Sequence, residues 1–277
     1  MATVAPAPPS NAGHSGKLRG VQPLRAGEGH TFFLRRLHSL TGIIPIGAFL
    51  IEHIVSNFEV VNGPLAYAQQ VKFLNGLPLA RVLEWVFIFI PLAYHALYGV
   101  YIAIKGRANV NVYPWAGNWM YLSQRVTGVL ALAYIIQHLW FQRFTGVSLP
   151  ENPGVAYWKV QHELSTAFML WVYIIGMVVT CWHFAYGIWL FAAKWGITPG
   201  DRARKKFGWV CGIGGAALCT MGLWSIIAIY SAPRVPYMYN AMPSQPNNTV
   251  APTIPGQYPV TNYDQNNTPQ EGMPPQE

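Results

Sequence analysis

Five apolar runs, near residues 37–58, 82–104, 122–142, 164–193 and 208–232, dominate the chain and limit what it can become. About 20 apolar residues of helix cross the hydrocarbon core of a bilayer. Inside lipid only helices and closed barrels satisfy the backbone's polar groups. Runs of this length predict an all-α integral membrane protein with five transmembrane helices. Composition agrees, with 52% apolar, 14% aromatic and only 10% charged residues. The first run follows 36 residues and has no small-residue cleavage pattern, so it is expected to be a retained helix rather than a signal peptide.

A net charge of +8 would suit a nucleic-acid partner, but the 18 Lys and Arg residues lie between or beside the runs. They are expected to set topology, with no nucleic acid involved. Lys72, Arg81, Arg143, Lys159 and Arg234 fall on one side, and the other thirteen share the side of the N-terminus. Basic loops stay in the cytoplasm, so the N-terminus is expected inside and the C-terminus outside. Cys181, Cys211 and Cys219 all lie within runs, where a thiol behaves as a small apolar side chain. The flanks differ in character: 1–30 is rich in Ala, Pro, Gly and Ser, and 233–277 in Pro, Asn and Gln. Both are expected to be disordered tails around a five-helix domain at 31–232.

An internal repeat organises that domain. The second run reads His95-Ala-Leu-Tyr98-Gly99-Val-Tyr101 and reaches Lys105, while the fourth reads His183-Phe-Ala-Tyr186-Gly187-Ile-Trp189 and reaches Lys194. The first and third match more weakly, through Ile51-Glu52-His53-Ile54 and Ile136-Gln137-His138-Leu139. The first four helices are therefore expected to form a bundle from two repeated hairpins, each supplying two histidines.

Of the eight histidines, His14 and His30 are in the polar N-terminal region, and His38 and His162 are at run edges. His53, His95, His138 and His183 lie inside runs, where a strongly polar side chain is costly and has a partner. Interhelical hydrogen bonds would account for any one of them. One on each of four helices asks for more. At a rise of about 1.5 Å per residue, His95 and His183 lie roughly 15–17 Å from the basic inner boundary, and His53 and His138 roughly 20–26 Å. Two pairs at two depths suit bis-histidine ligation of two haem irons, the inner by His95 and His183 and the outer by His53 and His138. A structural zinc would want four protein ligands around one ion.

Small and polar residues extend the reading. Gly99 and Gly187 follow their histidines by four and share a helix face with them, giving clearance beside a porphyrin. Gly42 and Gly128 lie close to whole turns before His53 and His138, where they could admit the inner haem. Arg36, His38, Ser39, Arg125 and Thr127 are candidate partners for anionic propionates.

The stretch Phe33-Leu-Arg35-Arg36-Leu-His38-Ser39-Leu-Thr-Gly42, then Glu52-His53, Tyr94-His95-Ala-Leu-Tyr98-Gly99, Asn118-Trp119, Gln124-Arg125-Val-Thr127-Gly128 and Trp195-Gly196-Ile197-Thr198, resembles the two-haem cytochrome b anchor of succinate dehydrogenases. The likeness covers about residues 30–232. It implies a subunit of the bacterial inner membrane that binds a flavoprotein and an iron–sulfur protein on the cytoplasmic side. Those partners carry the succinate chemistry. This chain is expected to pass electrons through the inner and outer haems to a quinone, menaquinone being the usual acceptor, and oligomers of the complex are compatible with that role. Near the outer face Asn57, Phe58, His162 and Glu163 are available to a quinone, with Glu59 and Glu52 as the candidate proton-transfer groups. The same scaffold could run in reverse as a fumarate reductase anchor, or serve a hydrogenase or formate dehydrogenase. From another class, a transporter also has repeats and midplane polar residues, though it would favour broken helices and acidic groups.

Overall fold

A computed structural model describes residues 28–235. The expected disordered tails lie outside the described residues, except for 28–30, which begin the first helix, and 233–235. By its contacts the chain forms two units, Met1–Leu37 and His38–Glu277. Within the first, the Arg36 guanidinium lies over the Phe32 ring, 5.0 Å from its centroid. The site and core described below belong to the second.

All regular structure among the described residues is helical. Helix α1 (Glu28–Ile43) is followed by α2 (Pro45–Asn57), with the break at Pro45, which has no N–H to donate and crowds the preceding turn. A 3-10 turn (Phe58–Asn62) ends this rod. Gly63, at φ +96°, redirects the chain into α3 (Pro64–Asn75), since only glycine takes that angle without strain. Helix α4 (Ala80–Leu83), a π-helical segment (Glu84–Phe89) and α5 (Ile90–Lys105) make the next rod. Its wide π turns precede Pro91, where an α-helical bond is lost in any case.

Helix α6 (Ala116–Leu139) opens into a π turn (Trp140–Phe144), and a short 3-10 turn (Pro153–Val155) leads to α7 (Ala156–Glu163). Helix α8 (Ala167–Lys194) starts where the Thr166 hydroxyl accepts from Met169 N at 3.3 Å. It stops at Gly196, φ +75°, with Ile197 N donating back to Ala192 O at 2.9 Å, the bond of a Schellman cap. Helix α9 (Asp201–Ser231) completes the fold.

Four of these stretches are long and apolar enough to cross a membrane: Thr31–Asn62, Ala80–Lys105, Ala167–Lys194 and Asp201–Ser231. They coincide with four of the five runs. Helix α6 stands where the third run was expected, but Ser123, Gln124, Arg125, Gln137 and His138 make it more polar.

The transmembrane helices leave most of their apolar surface uncovered. No residue in the apolar window of Ala80–Lys105 is buried, an arrangement suited to lipid, which is as apolar as the side chains it meets. Helices α8 and α9 approach closely through small residues: a Cβ on Gly215 would sit 2.5 Å from Ala185 Cβ, and one on Gly222 2.5 Å from Met177. The dense core lies at one end instead. There Val60, Tyr67, Ala156, Tyr157, Leu164, Tyr173, Ile226 and Ile229 join the 3-10 turn, α3 and α7 to the ends of α8 and α9.

Polar bonds tie this cap down. The nearly buried Lys159 ammonium donates to the carbonyls of Gln142, Thr145 and Val147 at 2.9–3.0 Å, closing the end of the π turn. Gln161 donates to the carbonyls of Ile229, Ala232 and Pro233 and accepts from Val235 N at 2.9 Å, while Arg234 donates to Gln161 O at 2.7 Å. Arg143 and Glu84 form an ion pair of 2.8 Å between the two π segments. Removing the ammonium strands three carbonyls at once. The Lys159→Met variant is expected to lose about 1–3 kcal/mol of stability and to become protease-sensitive at 144–155, read by thermal unfolding and limited proteolysis in detergent.

Candidate functional site

The four histidines within the runs stand as two facing pairs. His95 on α5 and His183 on α8 have ring centroids 6.3 Å apart and planes at 84°. His53 on α2 and His138 on α6 are 5.8 Å apart at 78°. Metal–imidazole bonds of about 2 Å to one ion put ring centroids roughly 6 Å apart, so each gap would have room for one ion held by two imidazoles. The pairs join elements distant in sequence, as expected from the depth of each histidine in its run.

The first pair is oriented by backbone. His95 Nδ1 donates to His38 O at 2.9 Å, and His183 Nδ1 to Gln124 O at 3.0 Å. A proton fixed on Nδ1 leaves the Nε2 lone pair for a metal, which is how ligating histidines are held. Glycines make the approach feasible: a Cβ on Gly128 would meet His183 Cε1 at 2.8 Å, and one on Gly42 would overlap His95 Cε1. Gly42 and Gly128 therefore give room to the imidazoles of the facing helix, a role not anticipated from their spacing. Gly99 and Gly187 face His38 and the Gln124 amide at 3.1 and 3.4 Å.

The second pair is oriented by side chains. His138 Nδ1 meets Tyr173 OH at 3.2 Å. Asn57 donates its amide to His53 O at 2.7 Å, stands 3.3 Å from His53 Nδ1, and accepts from Tyr67 OH at 2.7 Å. Phe49 and Tyr134 flank the pair at 5.2 Å from His53 and 5.7 Å from His138.

Each pair offers two nitrogen donors, and among the described residues no three His, Cys, Asp or Glu side chains converge on one point. That donor set fits a metal already carrying four in-plane donors, which a porphyrin supplies.

The other anticipated residues are spread around these pairs. The His38 ring stacks on His95 at 4.1 Å, and its buried Nδ1 has no hydrogen-bond partner, as a site for an acidic group would leave it. Ser39 accepts from Trp195 Nε1 at 3.2 Å. Arg125 covers the Tyr121 ring at 4.0 Å. The Thr127 hydroxyl donates to Ser123 O at 2.7 Å within its own helix. Arg36 belongs to the first unit. Glu52 is exposed on α2, and Glu59 accepts from Asn62 at 2.8 Å in the 3-10 turn.

A polar cluster beside His138 went unread in the sequence. Glu163, at the end of α7, accepts from Gln137 Nε2 at 2.6 Å and from Gln142 Nε2, which also reaches Tyr173 OH at 3.4 Å. Burial pushes its carboxyl above the usual 4.5, against the opposing pull of Tyr173, Gln137, Gln142 and the Lys159 charge. A polar Gln137 inside an apolar run was the available signal.

No protein-family model matches the chain. It is 40% identical over 197 residues to the succinate dehydrogenase cytochrome b558 subunit of Bacillus subtilis (strain 168), a match covering 71% of this chain and 96% of that protein.

The raised Glu163 carboxyl has a thermodynamic consequence. The folded protein binds this proton more tightly than the unfolded chain, so stability falls as pH climbs from about 4.5 to the raised folded value, and levels off above it. The Glu163→Gln variant lacks that ionisation. Its stability relative to the parent is expected to rise with pH across this window and then stay constant, measured as paired unfolding temperatures over a pH series.

Proposed function

We propose, given that this chain belongs to the succinate dehydrogenase cytochrome b membrane anchors, that it holds two b-type haems and carries electrons from an iron–sulfur partner to a quinone. The observation that carries this reading is the pair of imidazole pairs, two of whose Nδ1 atoms are held by backbone carbonyls. Haem bound between them supplies one-electron carriers. His95 and His183 hold the inner group, and His53 and His138 the outer.

Five crossings follow if α6 is the third, its polar residues turned to the ligands as His138 and Gln124 are. Equivalent contacts support the two-hairpin repeat: His95 meets His38 O and Gly42, and His183 meets Gln124 O and Gly128. The N-terminus faces the cytoplasm of a bacterial inner membrane, where the flavoprotein and iron–sulfur subunits dock. His38, Ser39, Arg125 and Thr127 supply the polar surroundings of the inner haem's propionates. Menaquinone is reduced near the outer pair, where Glu59 and Glu52 are the carboxylates assigned to proton transfer.

Pigment content tests the ligand assignment. Extraction of the purified complex is expected to yield two haems per chain. His53→Ala or His138→Ala should remove the outer one, and His95→Ala or His183→Ala the inner one. Gly128→Ala should also reduce inner-haem content by displacing His183. One haem per chain in the parent, or two retained in any histidine variant, would sink the reading.

A further inference from the structure

The hydrogen bonds around His138 continue beyond it, and every link is on one path. His138 Nδ1 meets Tyr173 OH at 3.2 Å. Gln142 bridges Tyr173 and Glu163, its amide reaching Glu163 and, at 3.4 Å, Tyr173 OH. Gln137, next to His138 in sequence, donates its amide to Glu163 at 2.6 Å, and its own Oε1 is buried with no partner. Both donors to Glu163 are amides, and the Gln142 amide relays its proton state to Tyr173. Among the described residues no comparable side-chain path runs from the first pair, whose Nδ1 atoms end on backbone carbonyls.

We propose that Glu163 is the redox-linked proton-binding group of the outer site, taking up one proton when one electron reaches the iron held by His53 and His138. The inference rests on the dihaem reading above. The electron is supplied from the iron–sulfur partner through the inner site, and the proton comes from the water outside. A carboxylate draws the Gln142 amide to itself and leaves the Tyr173 oxygen a stronger acceptor toward His138 Nδ1, strengthening the imidazole's donation to an oxidised iron. A protonated Glu163 relaxes that donation and favours the reduced iron. Linkage makes the effect reciprocal, so the arriving electron must raise the affinity of Glu163 for a proton.

The surroundings suit this role. Glu163 is only half-buried and neighbours the exposed His162, so outer water reaches it. The titratable and charged groups around it are Lys159 on its own helix, Tyr134 and His138 on α6, Arg143 in the π turn, and Tyr173 on α8. Lys159 is held by three carbonyls, so its charge is a fixed background. Burial raises the carboxyl above its ordinary range.

The test is a redox titration of both haems, followed optically in the assembled complex at a series of pH values. In the parent, the outer haem's potential is expected to fall as pH rises, approaching the tenfold change per pH unit of a one-electron, one-proton couple, about 59 mV. Glu163→Gln should reduce that slope to less than half while both haem spectra persist, leaving the inner haem's slope as it was. Tyr173→Phe keeps the carboxyl but removes the bridge, and it should weaken the slope as well. Redox-difference infrared spectra should show a carboxylic acid band that appears on reduction and is absent from Glu163→Gln. If either variant keeps the parental slope with both haems present, the proposal is overturned. Failure of the dihaem reading itself would look different, since the parent would then show no second haem to titrate.

Discussion

An imidazole in the apolar interior of a helix bundle needs a partner for each ring nitrogen, and the chain meets that demand at Nδ1. For His95 and His183 the acceptor is a carbonyl of a neighbouring helix, His38 O and Gln124 O. Close approach is a precondition, and Gly42 and Gly128 provide it, because a methyl group at either position would occupy the ring's place. Ring orientation, helix separation and the choice of glycine are thus one constraint seen from three sides.

The cap at the other end answers a different problem. The long helices bury little of one another. Dense packing is confined to the cluster around Leu164, Ile229 and Val60. This cluster fixes the ends of α8 and α9 and the turn after α2. Asn57 and Tyr67 extend it to His53, and Tyr173, itself a core residue, extends it to His138. The second histidine pair is therefore built partly from the cap.

Long-range features of the helices were legible in the sequence because they follow from length and period. Apolar runs gave four helices of membrane length, and counting from basic residues separated the histidines into the pairs that face each other. The cap was not legible. Helix α7 is eight residues long with no apolar run, and it is stable only because Tyr157 and Leu164 meet partners more than 60 residues away. Lys159 read as a loop cation, yet it is buried against three carbonyls. Glu163 was visible as one of several outer polar groups, but its donors come from α6 and the π turn after it, so only the fold singles it out over Glu59. The glycines read as clearance for a porphyrin, whereas their neighbours are side chains of facing helices: His95 at Gly42, His183 at Gly128, His38 at Gly99 and Gln124 at Gly187.

The two pairs differ in a way that bears on direction. Backbone carbonyls carry no ionisable group, so the Nδ1 bonds of His95 and His183 have no titrating partner. Side chains orient His53 and His138, and one of their paths leads through Tyr173 and Gln142 to the Glu163 carboxyl. A carrier that only relays electrons gains nothing from a titratable neighbour, and the first pair has none in its Nδ1 bonds. A carrier that hands electrons to a proton-consuming acceptor needs charge compensation where the transfer occurs. On the proposed reading, the asymmetry between carbonyl and phenol at Nδ1 puts relay at the inner site and proton-coupled delivery at the outer one.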